Sequence, residues 1–413
     1  MSTLDVEAVW RIESARIVAA LTRFTGDFGL AEDAAQEAVA EALVSWPLDP
    51  PADPAGWLMA TSRRRAIDAI RRRVALRDRY AVLATDPAVG AAAGPAAVED
   101  VDPDRIDDDV LALMFVSCHP VLSPEARVAL TLRVVAGLSS QEIARAFLVS
   151  VPTVQARITR GKKTIAAAGV PFELPPPAER RERLGGVLSV LYVIFTEGST
   201  ATSGDRLVRP EVAYEAIRLA RTLAALLPDE PEVHGLLALC ELTAARFPAR
   251  TASDGSPVLL EDQDRRRWDV SAIHRGLAAL AKASAGGGLG PYGLQAAIAA
   301  THAAAPSVEA TDWERIVVLY EALGRVAPSP VVELNRAVAV AMASGPEQAL
   351  AIVDELVVAD RLSGSHLVPT VRGELLARLG RRPEARAELE LAARLCANER
   401  ERAVLLRKAA ELD

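Results

Sequence analysis

Apolar residues recur three and four positions apart along most of the 413-residue chain, which is the spacing of a buried helix face. Alanine is abundant and aromatic residues make up only 4%, which also favours helices over sheets. The pattern predicts helices over 5–77, over 110–169 and from about 178 to the end. We therefore predict an all-α protein with a first domain at 1–77, a second at 110–169 and a third at 178–413.

The segment 78–109 interrupts the helical pattern. Between Asp86 and Asp109 there are eight acidic residues and one arginine, interspersed with alanine, glycine and proline. Such a segment repels itself and does not bury apolar surface, so it is predicted to be a flexible acidic linker. A second boundary is marked by Pro171 and by the prolines at 175–177.

The most informative stretch of the second domain predicts two short helices joined by a tight turn. Ser139 can cap the first helix together with Glu142, as in a capping box. Ser150 can cap the second helix, whose first turn contains Pro152. The arrangement is typical of a helix-turn-helix DNA reader. The turn departs from the usual pattern in one respect, because Leu148 stands where such motifs generally have glycine.

The second of these helices is basic and is predicted to bury Val154 and Ile158. From Arg145 to Lys163 there are five basic residues and no acidic one. Basic side chains contact phosphates, whereas side chains that meet base edges provide specificity. The face left for base edges carries Gln155, Ala156, Thr159 and Arg160. The alternative is a solvated helical hairpin whose charge is incidental.

Two charged surfaces are predicted in the first domain. An acidic stripe consists of Asp33, Gln36, Glu37 and Glu41, opposite an apolar face of Ala35, Val39, Ala42 and Leu43. It can be a docking surface for a basic partner or an ordinary solvated face. Further on, seven arginines and one aspartate lie between Arg63 and Arg77, after Trp46, Trp57 and a proline-rich loop. Arginine beside aromatic rings suits unpaired bases, although both tryptophans can equally be core residues.

The third domain shows weak internal similarity. The segment 334–349 and the segment 372–385 each combine an alanine- and leucine-rich helix with a glycine-containing turn, about 36 residues apart. This period approximates the tetratricopeptide repeat, a helix pair that buries its apolar face against neighbouring pairs. A generic helical bundle is the alternative.

Several classes of protein are not supported by the sequence. Three distant cysteines give neither a disulfide framework nor zinc-ligand spacing, which suits a reducing cytoplasm. No signal peptide or membrane span is indicated. We find no Walker motif, dinucleotide fingerprint or metal-ligand cluster, so we expect neither a cofactor, a metal ion nor an enzyme. The net charge of −8 restricts nucleic-acid contact to local patches.

Taken together, these residues resemble an extracytoplasmic-function (ECF) sigma factor of the sigma-70 family. Ala34–Ala38, Trp57–Leu58 and Ala66–Asp68 with the following arginines are similar to its region 2, and 123–163 is similar to its region 4. A subgroup of this family carries a long helical extension with tetratricopeptide character. The segments 228–233, 262–265, 267–269, 290–292 and 328–332 resemble that extension, so the resemblance covers nearly the whole chain.

The resemblance implies roles for particular residues. Core RNA polymerase, with its β and β′ subunits, is the expected partner. The clamp helices of its large subunit, a coiled coil, would be contacted by Asp33, Gln36, Glu37 and Glu41. The −10 promoter element would be melted and read by Trp46, Trp57, Arg63, Arg64, Arg65, Arg71, Arg72 and Arg73. The −35 element would be bound by Thr153, Gln155, Ala156, Arg157, Thr159, Arg160 and Lys163. Among these, Arg157 and Lys163 would contact phosphate.

Two other functions are compatible with the sequence. One is a helix-turn-helix activator with a repeat-type sensor, which binds duplex DNA without joining polymerase. The other is a scaffold protein in which the repeats carry the function. The arginine-rich segment and the acidic linker favour the sigma factor, since a simple activator needs neither. We expect the third domain to contact the first two in cis and to play a positive, required role.

Overall fold

The computed structural model describes residues 6–83, 106–199, 208–252 and 257–412. Within these ranges it contains eighteen α-helices and no strand, apart from an isolated bridge between Thr251 and Pro257. The prediction of an all-α protein is confirmed. None of the described helices has a stretch that is both long and apolar enough to cross a membrane.

The chain divides into two compact units, the first ending at Val190 and the second beginning at Leu191. The first unit contains seven helices and the beginning of an eighth. They are α1 (Val6–Thr25), α2 (Phe28–Ser45), α3 (Pro54–Leu83), α4 (Ile106–Ser117), α5 (Pro124–Leu130), α6 (Ser140–Ala146), α7 (Val151–Ala167) and α8 (Pro177–Ser199). A short π-helical segment, Thr131–Val135, continues α5.

The core of the first unit lies around α4. Its residues from Val110 to Val116 are all buried, so this stretch of the helix is apolar on every side. Helix α1 packs on α4, and α2 packs on α1 and α3. Because α1 also contacts the π-helical segment, the first predicted domain and the second are packed against each other within one unit.

The predicted linker bounds, 78–109, overlap two helices. Helix α3 continues to Leu83 and α4 begins at Ile106, so both ends of the segment 78–109 are helical. The acidic residues between them lie outside the described residues. The helical ends follow from the sequence, because neither end contains the proline or glycine that would stop a helix.

The second unit consists mainly of α-helices that pack on one another. After the end of α8 come α9 (Pro210–Leu226), α10 (Pro231–Ala244), α11 (Val270–Ser284), α12 (Pro291–Ala304), α13 (Trp313–Val326), α14 (Pro330–Ala343), α15 (Pro346–Val358), α16 (Leu367–Arg378), α17 (Arg382–Leu395) and α18 (Glu399–Ala410). From α12 onward each helix packs on the next one in sequence. This order of contacts is typical of repeat proteins.

The predicted repeat corresponds to two helix-turn-helix pairs, α14–α15 and α16–α17. Their short turns contain Gly345 and Gly380, which have φ angles of 105° and 74°. Only glycine adopts such angles without strain. The buried residues Leu334, Ala349, Val353, Leu376 and Ala385 belong to one apolar cluster shared by both pairs. The helical pairing predicted from the sequence is therefore present, with a continuous core.

Helix α8 contains two glycines in contrasting environments. A Cβ atom added to Gly198 would lie 2.3 Å from the backbone nitrogen of Ala213 on α9, so no side chain fits there. The Gly198 carbonyl also accepts a 2.7 Å hydrogen bond from the Arg209 amide. A Cβ atom on Gly185 would meet nothing within 4 Å. Close packing of α8 on α9 therefore requires glycine only at position 198.

We predict that Gly198→Ala destabilises the second unit by about 1–3 kcal/mol, the usual cost of overpacking. The matched control, Gly185→Ala in the same helix, should stabilise by about 0.5–1 kcal/mol through lower backbone entropy in the unfolded state. Chemical denaturation followed by circular dichroism measures both. Equal effects of the two substitutions would contradict the close approach of α8 and α9.

Candidate nucleic-acid and partner-binding surfaces

The helix-turn-helix consists of α6 and α7, and both predicted caps are present. The Ser139 hydroxyl accepts from the Glu142 amide, and the Glu142 carboxylate accepts from the Ser139 amide at 2.8 Å, which completes a capping box. Burial alone would raise the pKa of Glu142, but its bonds to Ser139 and Arg11 lower it below its ordinary value. Ser150 caps α7 by accepting from the Thr153 amide. The capping prediction is confirmed.

The turn between the two helices explains the missing glycine. Leu148 has a φ of 49°, in the left-handed region that glycine normally occupies, and its side chain is 53% exposed. The next amide, that of Val149, donates to the Ala144 carbonyl at 3.1 Å and closes the end of α6. Leu148 thus adopts the backbone conformation that glycine normally has in this turn. The surrounding hydrogen bonds keep it there despite the backbone strain.

Helix α7 presents the predicted basic face to solvent. Val154, Ile158, Gly161 and Ile165 are buried, and a Cβ atom on Gly161 would lie 2.8 Å from Leu130 of α5. The opposite face is free of these contacts. Its exposed residues are Thr153, Gln155, Ala156, Thr159, Arg160 and Lys163, while Arg157 is half-buried. The orientation is therefore suited to a nucleic-acid groove, and the individual base and phosphate roles remain predictions.

The acidic stripe of α2 lies at the surface as expected, with some of its charges already paired. Asp33 and Glu37 are exposed, whereas Gln36 and Glu41 are half-buried. Glu41 binds Arg64 at 3.1 Å and Arg65 at 2.7 Å, both on α3. The apolar face of α2 differs from the predicted one, because Leu43 is exposed. Ala35 and Ala42 are buried as predicted, and Ala31, Ala34 and Ala38 are buried beside them.

The arginines of α3 form a mixed surface. Arg63 stacks on the Phe24 ring at 5.0 Å, Arg73 binds Asp27 at 2.7 Å, and Arg71 lies 4.0 Å from Asp68. Among the arginines of this helix up to Arg73, the exposed ones are Arg64, Arg71, Arg72 and Arg73. Several cations thus remain at the surface, although internal carboxylates and an aromatic ring orient them.

The two tryptophans that flank the proline-rich loop pack edge to face, with ring centroids 5.5 Å apart. Trp46 is only 2% exposed and its indole nitrogen has no hydrogen-bond partner. Trp57 is half-buried. In this structure the pair supports the loop, and direct contact of Trp46 with DNA would require the loop to move. Nearby, Val44 and Leu48 are 74% and 86% exposed.

A charged cluster that sequence analysis missed joins α2 to the helix-turn-helix domain. Glu32 is 4% exposed and binds Arg133 at 2.9 Å and Lys162 at 2.6 Å. Lys162 also binds Asp33 at 2.6 Å. Burial lowers the pKa of Lys162, but the two carboxylates outweigh it and raise the pKa above its ordinary value. The partners lie 101 to 130 positions apart in the sequence, so no local pattern indicates the cluster.

In the second unit, the acidic residues near Arg265 have structural roles. Asp264 binds Arg266 at 2.9 Å and Asp269 caps α11. One further cluster, of possible metal ligands, could not be recognised from the spacing of its residues in the sequence. His366, Cys396 and Glu401 place possible metal-ligating atoms within 4.8 Å of one another, and the His366 ring lies 3.3 Å from the Glu401 carboxylate. Among the described residues all three cysteines are free and buried.

Comparisons with known protein families match three parts of the chain. Residues 11–75 match sigma-70 region 2, residues 112–165 match sigma-70 region 4, and residues 183–284 match a family of unknown function, DUF6596. The first two matches correspond to α1–α3 and to α4–α7. No solved structure matches the chain significantly.

Whole-chain comparison gives relatives of two kinds. An uncharacterised protein of Rhizobium meliloti is 45% identical over 398 residues, which cover 94% of this chain and 90% of the relative. A probable ECF RNA polymerase sigma factor, SigI, of two Mycobacterium tuberculosis strains is 30% identical over 177 residues. That alignment covers 42% of this chain and 59% of SigI. The expected resemblance is confirmed.

We predict that Leu148→Gly stabilises the helix-turn-helix by about 0.5–1 kcal/mol. A residue with a Cβ atom in the left-handed conformation costs about 1–2 kcal/mol, and glycine removes this cost. Part of the gain is offset because glycine gives the unfolded chain more conformational entropy. The matched control Leu148→Ala keeps the Cβ atom and should give no such gain. Hydrogen exchange of the α6 amides and thermal denaturation measure the effect. Stabilisation by alanine as large as that by glycine would contradict backbone strain as the cause.

Proposed function

The chain belongs to the sigma-70 family, with regions 2 and 4 of that family followed by a DUF6596 domain, and we propose that it is an ECF-type RNA polymerase sigma factor controlled by its own C-terminal helices. In this role it binds core polymerase, recognises −35 and −10 promoter elements and initiates transcription in the cytoplasm. It acts as a binding subunit and has no catalytic activity of its own.

The observation that carries this proposal is the coexistence of both sigma regions in order, with α7 presenting its basic face to solvent. An activator that does not join polymerase would need only the helix-turn-helix. The additional region 2, with its acidic α2 and its arginine-rich α3, supports a protein that must bind polymerase and DNA together.

We assign core binding to the acidic surface of α2, formed by Asp33, Gln36, Glu37 and Glu41. Complementary charge steers such a surface to a basic partner. Two exposed apolar side chains, Val44 at the end of this helix and Leu48 in the turn after it, add area that a partner would bury. Both features favour docking of polymerase on this part of region 2.

We assign the −10 element to the loop after α2 and to α3. Trp46 and Trp57 would bracket this loop, and Arg63, Arg64, Arg65, Arg71, Arg72 and Arg73 would hold the separated strand. Stacking on aromatic rings and contact with guanidinium groups is how proteins commonly bind single strands. Arginines that already pair with Glu41 and Asp27 would exchange these partners for phosphate.

We assign the −35 element to α7. Gln155, near the start of this helix, and Arg160, at its middle, are both exposed and would meet base edges, whereas the exposed Lys163 would meet phosphate. The short side chains of Ala156 and Thr159 leave part of the recognition to the shape of the DNA.

The −35 assignment predicts different consequences for two exposed positions of α7. Gln155→Ala should cost about 1–3 kcal/mol and relax base preference at one position, because a base-edge contact is lost. Lys163→Ala should weaken binding of all sequences equally and reduce the salt slope by about one ion. Binding of variant duplexes by the polymerase complex, measured at several salt concentrations, separates the two. An unchanged base preference of Gln155→Ala would count against direct readout.

We propose that the helices after Val190 act in cis and are required for activity, because a sigma factor with its own control domain needs no separate inhibitor. The functional domains would be 1–77, the linker 78–109, 110–169 and 178–413. A clean deletion should begin later than 178, since the first half of α8 belongs to the first unit. There, for example, Arg183 donates to the Phe115 carbonyl at 3.2 Å.

In vitro transcription tests the proposal. The full-length protein, added to core polymerase and DNA from upstream of its own gene, should give discrete promoter-dependent transcripts that core polymerase alone does not give. No transcripts with duplex binding retained would support the activator instead. Deletion of residues 191–413 should abolish transcription, whereas increased transcription would show that these helices inhibit.

A further inference from the structure

Three side chains that can ligate a transition metal meet in the second unit. They are His366, Cys396 and Glu401, whose possible ligand atoms all lie within 4.8 Å of one another. His366 immediately precedes α16, Cys396 immediately follows α17, and Glu401 lies in the first turn of α18. The three residues therefore converge from three separate helix ends, because α17 packs on both α16 and α18.

The spacing of the ligand atoms fits one tetrahedral zinc ion. Zinc binds imidazole nitrogen at about 2.0–2.1 Å, carboxylate oxygen at about 2.0–2.2 Å and thiolate sulfur at about 2.3 Å, so tetrahedral angles place two ligand atoms about 3.3–3.7 Å apart. In the structure His366 Nε2 lies 3.3 Å from Glu401 Oε1. The Cys396 sulfur lies within 4.8 Å of both partners, so a small movement of side chains would complete the geometry.

The chemistry of the three groups selects the class of metal. Thiolate and imidazole favour zinc and related transition metals, whereas magnesium and calcium prefer sites made of oxygen ligands. A thiolate and a carboxylate together carry two negative charges, which match the charge of a divalent ion, and a neutral imidazole adds none. Coordination of the sulfur would release the thiol proton of Cys396 to solvent.

Hydrogen bonds fix the backbone at each of the three ligands. The His366 carbonyl accepts from the Thr370 amide at 3.0 Å and from the Thr370 hydroxyl at 2.8 Å. The Cys396 amide closes the last turn of α17 with a 2.9 Å bond. The Glu401 amide donates at 3.1 Å to the side chain of Asn398, which is buried. Ligands held on helix ends in this way lose little freedom when they bind an ion.

The three ligands differ in burial. Cys396 is 3% exposed and belongs to an apolar cluster with Leu405, whereas the side chains of His366 and Glu401 are 25% and 35% exposed. An ion bound here would be held on its inner side by sulfur and would be accessible from solvent on its outer side. Zinc sites with three protein ligands leave the fourth coordination position open.

We propose that His366, Cys396 and Glu401 form a zinc-binding site, which cross-links the turn before α16 to the turn between α17 and α18. The ion is exchangeable, because its fourth position is open and two of its ligands are partly exposed. The site lies within the second unit and does not depend on the proposed function. It departs from the expectation, drawn from ligand spacing in the sequence, that the chain binds no metal ion.

Cobalt(II) is the first probe, since it occupies zinc sites and reports their ligands by absorption. The full-length protein, purified without a histidine tag, is reduced, treated with chelator and titrated with Co²⁺ alone. One ion per chain should bind, with a thiolate-to-cobalt charge-transfer band in the near ultraviolet and visible bands of tetrahedral geometry. Subsequent addition of Zn²⁺ should remove these bands by displacement.

Two cysteine variants show whether the charge-transfer band comes from Cys396. Cys396→Ser should abolish the band. The matched control is Cys118→Ser in the first unit, where the buried thiol lies 3.3 Å from the Thr131 hydroxyl and a serine hydroxyl can take its place. This control should keep the band at full intensity. Circular dichroism confirms that both variants are folded.

Substitution of the other two ligands should weaken zinc binding without loss of the fold. His366→Ala and Glu401→Gln should each raise the Kd for Zn²⁺ at least about 100-fold, because even residues that only orient a ligand contribute about 10- to 100-fold. The controls His274→Ala and Glu399→Gln change the same residue types at exposed positions and should bind Zn²⁺ like the parent protein. Calorimetric titration measures all four.

Thermal denaturation gives an independent readout, because an ion that binds only the folded protein raises the denaturation midpoint. Zn²⁺ should raise the midpoint of the parent protein and of Glu399→Gln, but not that of Cys396→Ser or Glu401→Gln. The site is refuted if the chelator-treated protein binds neither metal, if Cys396→Ser keeps the cobalt band, or if the ligand variants bind Zn²⁺ like the parent. None of these measurements involves polymerase, so a failure of the zinc site leaves the proposed function intact.

Discussion

The arrangement of the first unit depends on the ion pairs that the buried carboxylate of Glu32 forms. A carboxylate with 4% exposure is stable only when its charge is compensated, and here Arg133 and Lys162 provide that compensation from a different sequence region. A buried ion pair adds little net stability, since desolvation offsets much of the attraction, but loss of one partner is costly. Such an interaction is better suited to select one arrangement than to strengthen the fold.

The same constraint connects the functional surfaces. Region 4 depends on a rigid turn at Leu148 and on two helix caps, which together orient α7 so that its basic face points to solvent. Region 2 presents an acidic helix beside an arginine-rich one. Within the first unit, Lys162 binds Glu32 of the acidic helix, whereas the adjacent Lys163 is exposed. Adjacent positions on α7 thus serve domain packing and the proposed DNA contact separately.

Much of the local structure could be predicted from the sequence, because caps and helix faces are determined by residues a few positions apart. Ser139, Glu142 and Ser150 act as expected, and the repeat-like pairs around Gly345 and Gly380 follow the spacing of apolar residues. Leu148 is unusual for its place in a helix-turn-helix, but only the structure shows that it adopts the glycine conformation.

The remaining features depend on contacts between distant parts of the chain. Glu32 looks like one more charge next to Asp33, and its burial arises only when region 4 packs on α2. The burial of Trp46 and the exposure of Leu43 likewise depend on how α2 meets its neighbours.

Footprinting of the polymerase complex on its promoter is the most direct test of the central claim, that the chain is a sigma factor. Simultaneous protection of two elements about 25 base pairs apart, with permanganate-reactive thymines at the downstream one, is the result that a sigma factor predicts. Protection of a single duplex site, equal with and without core polymerase, would contradict it.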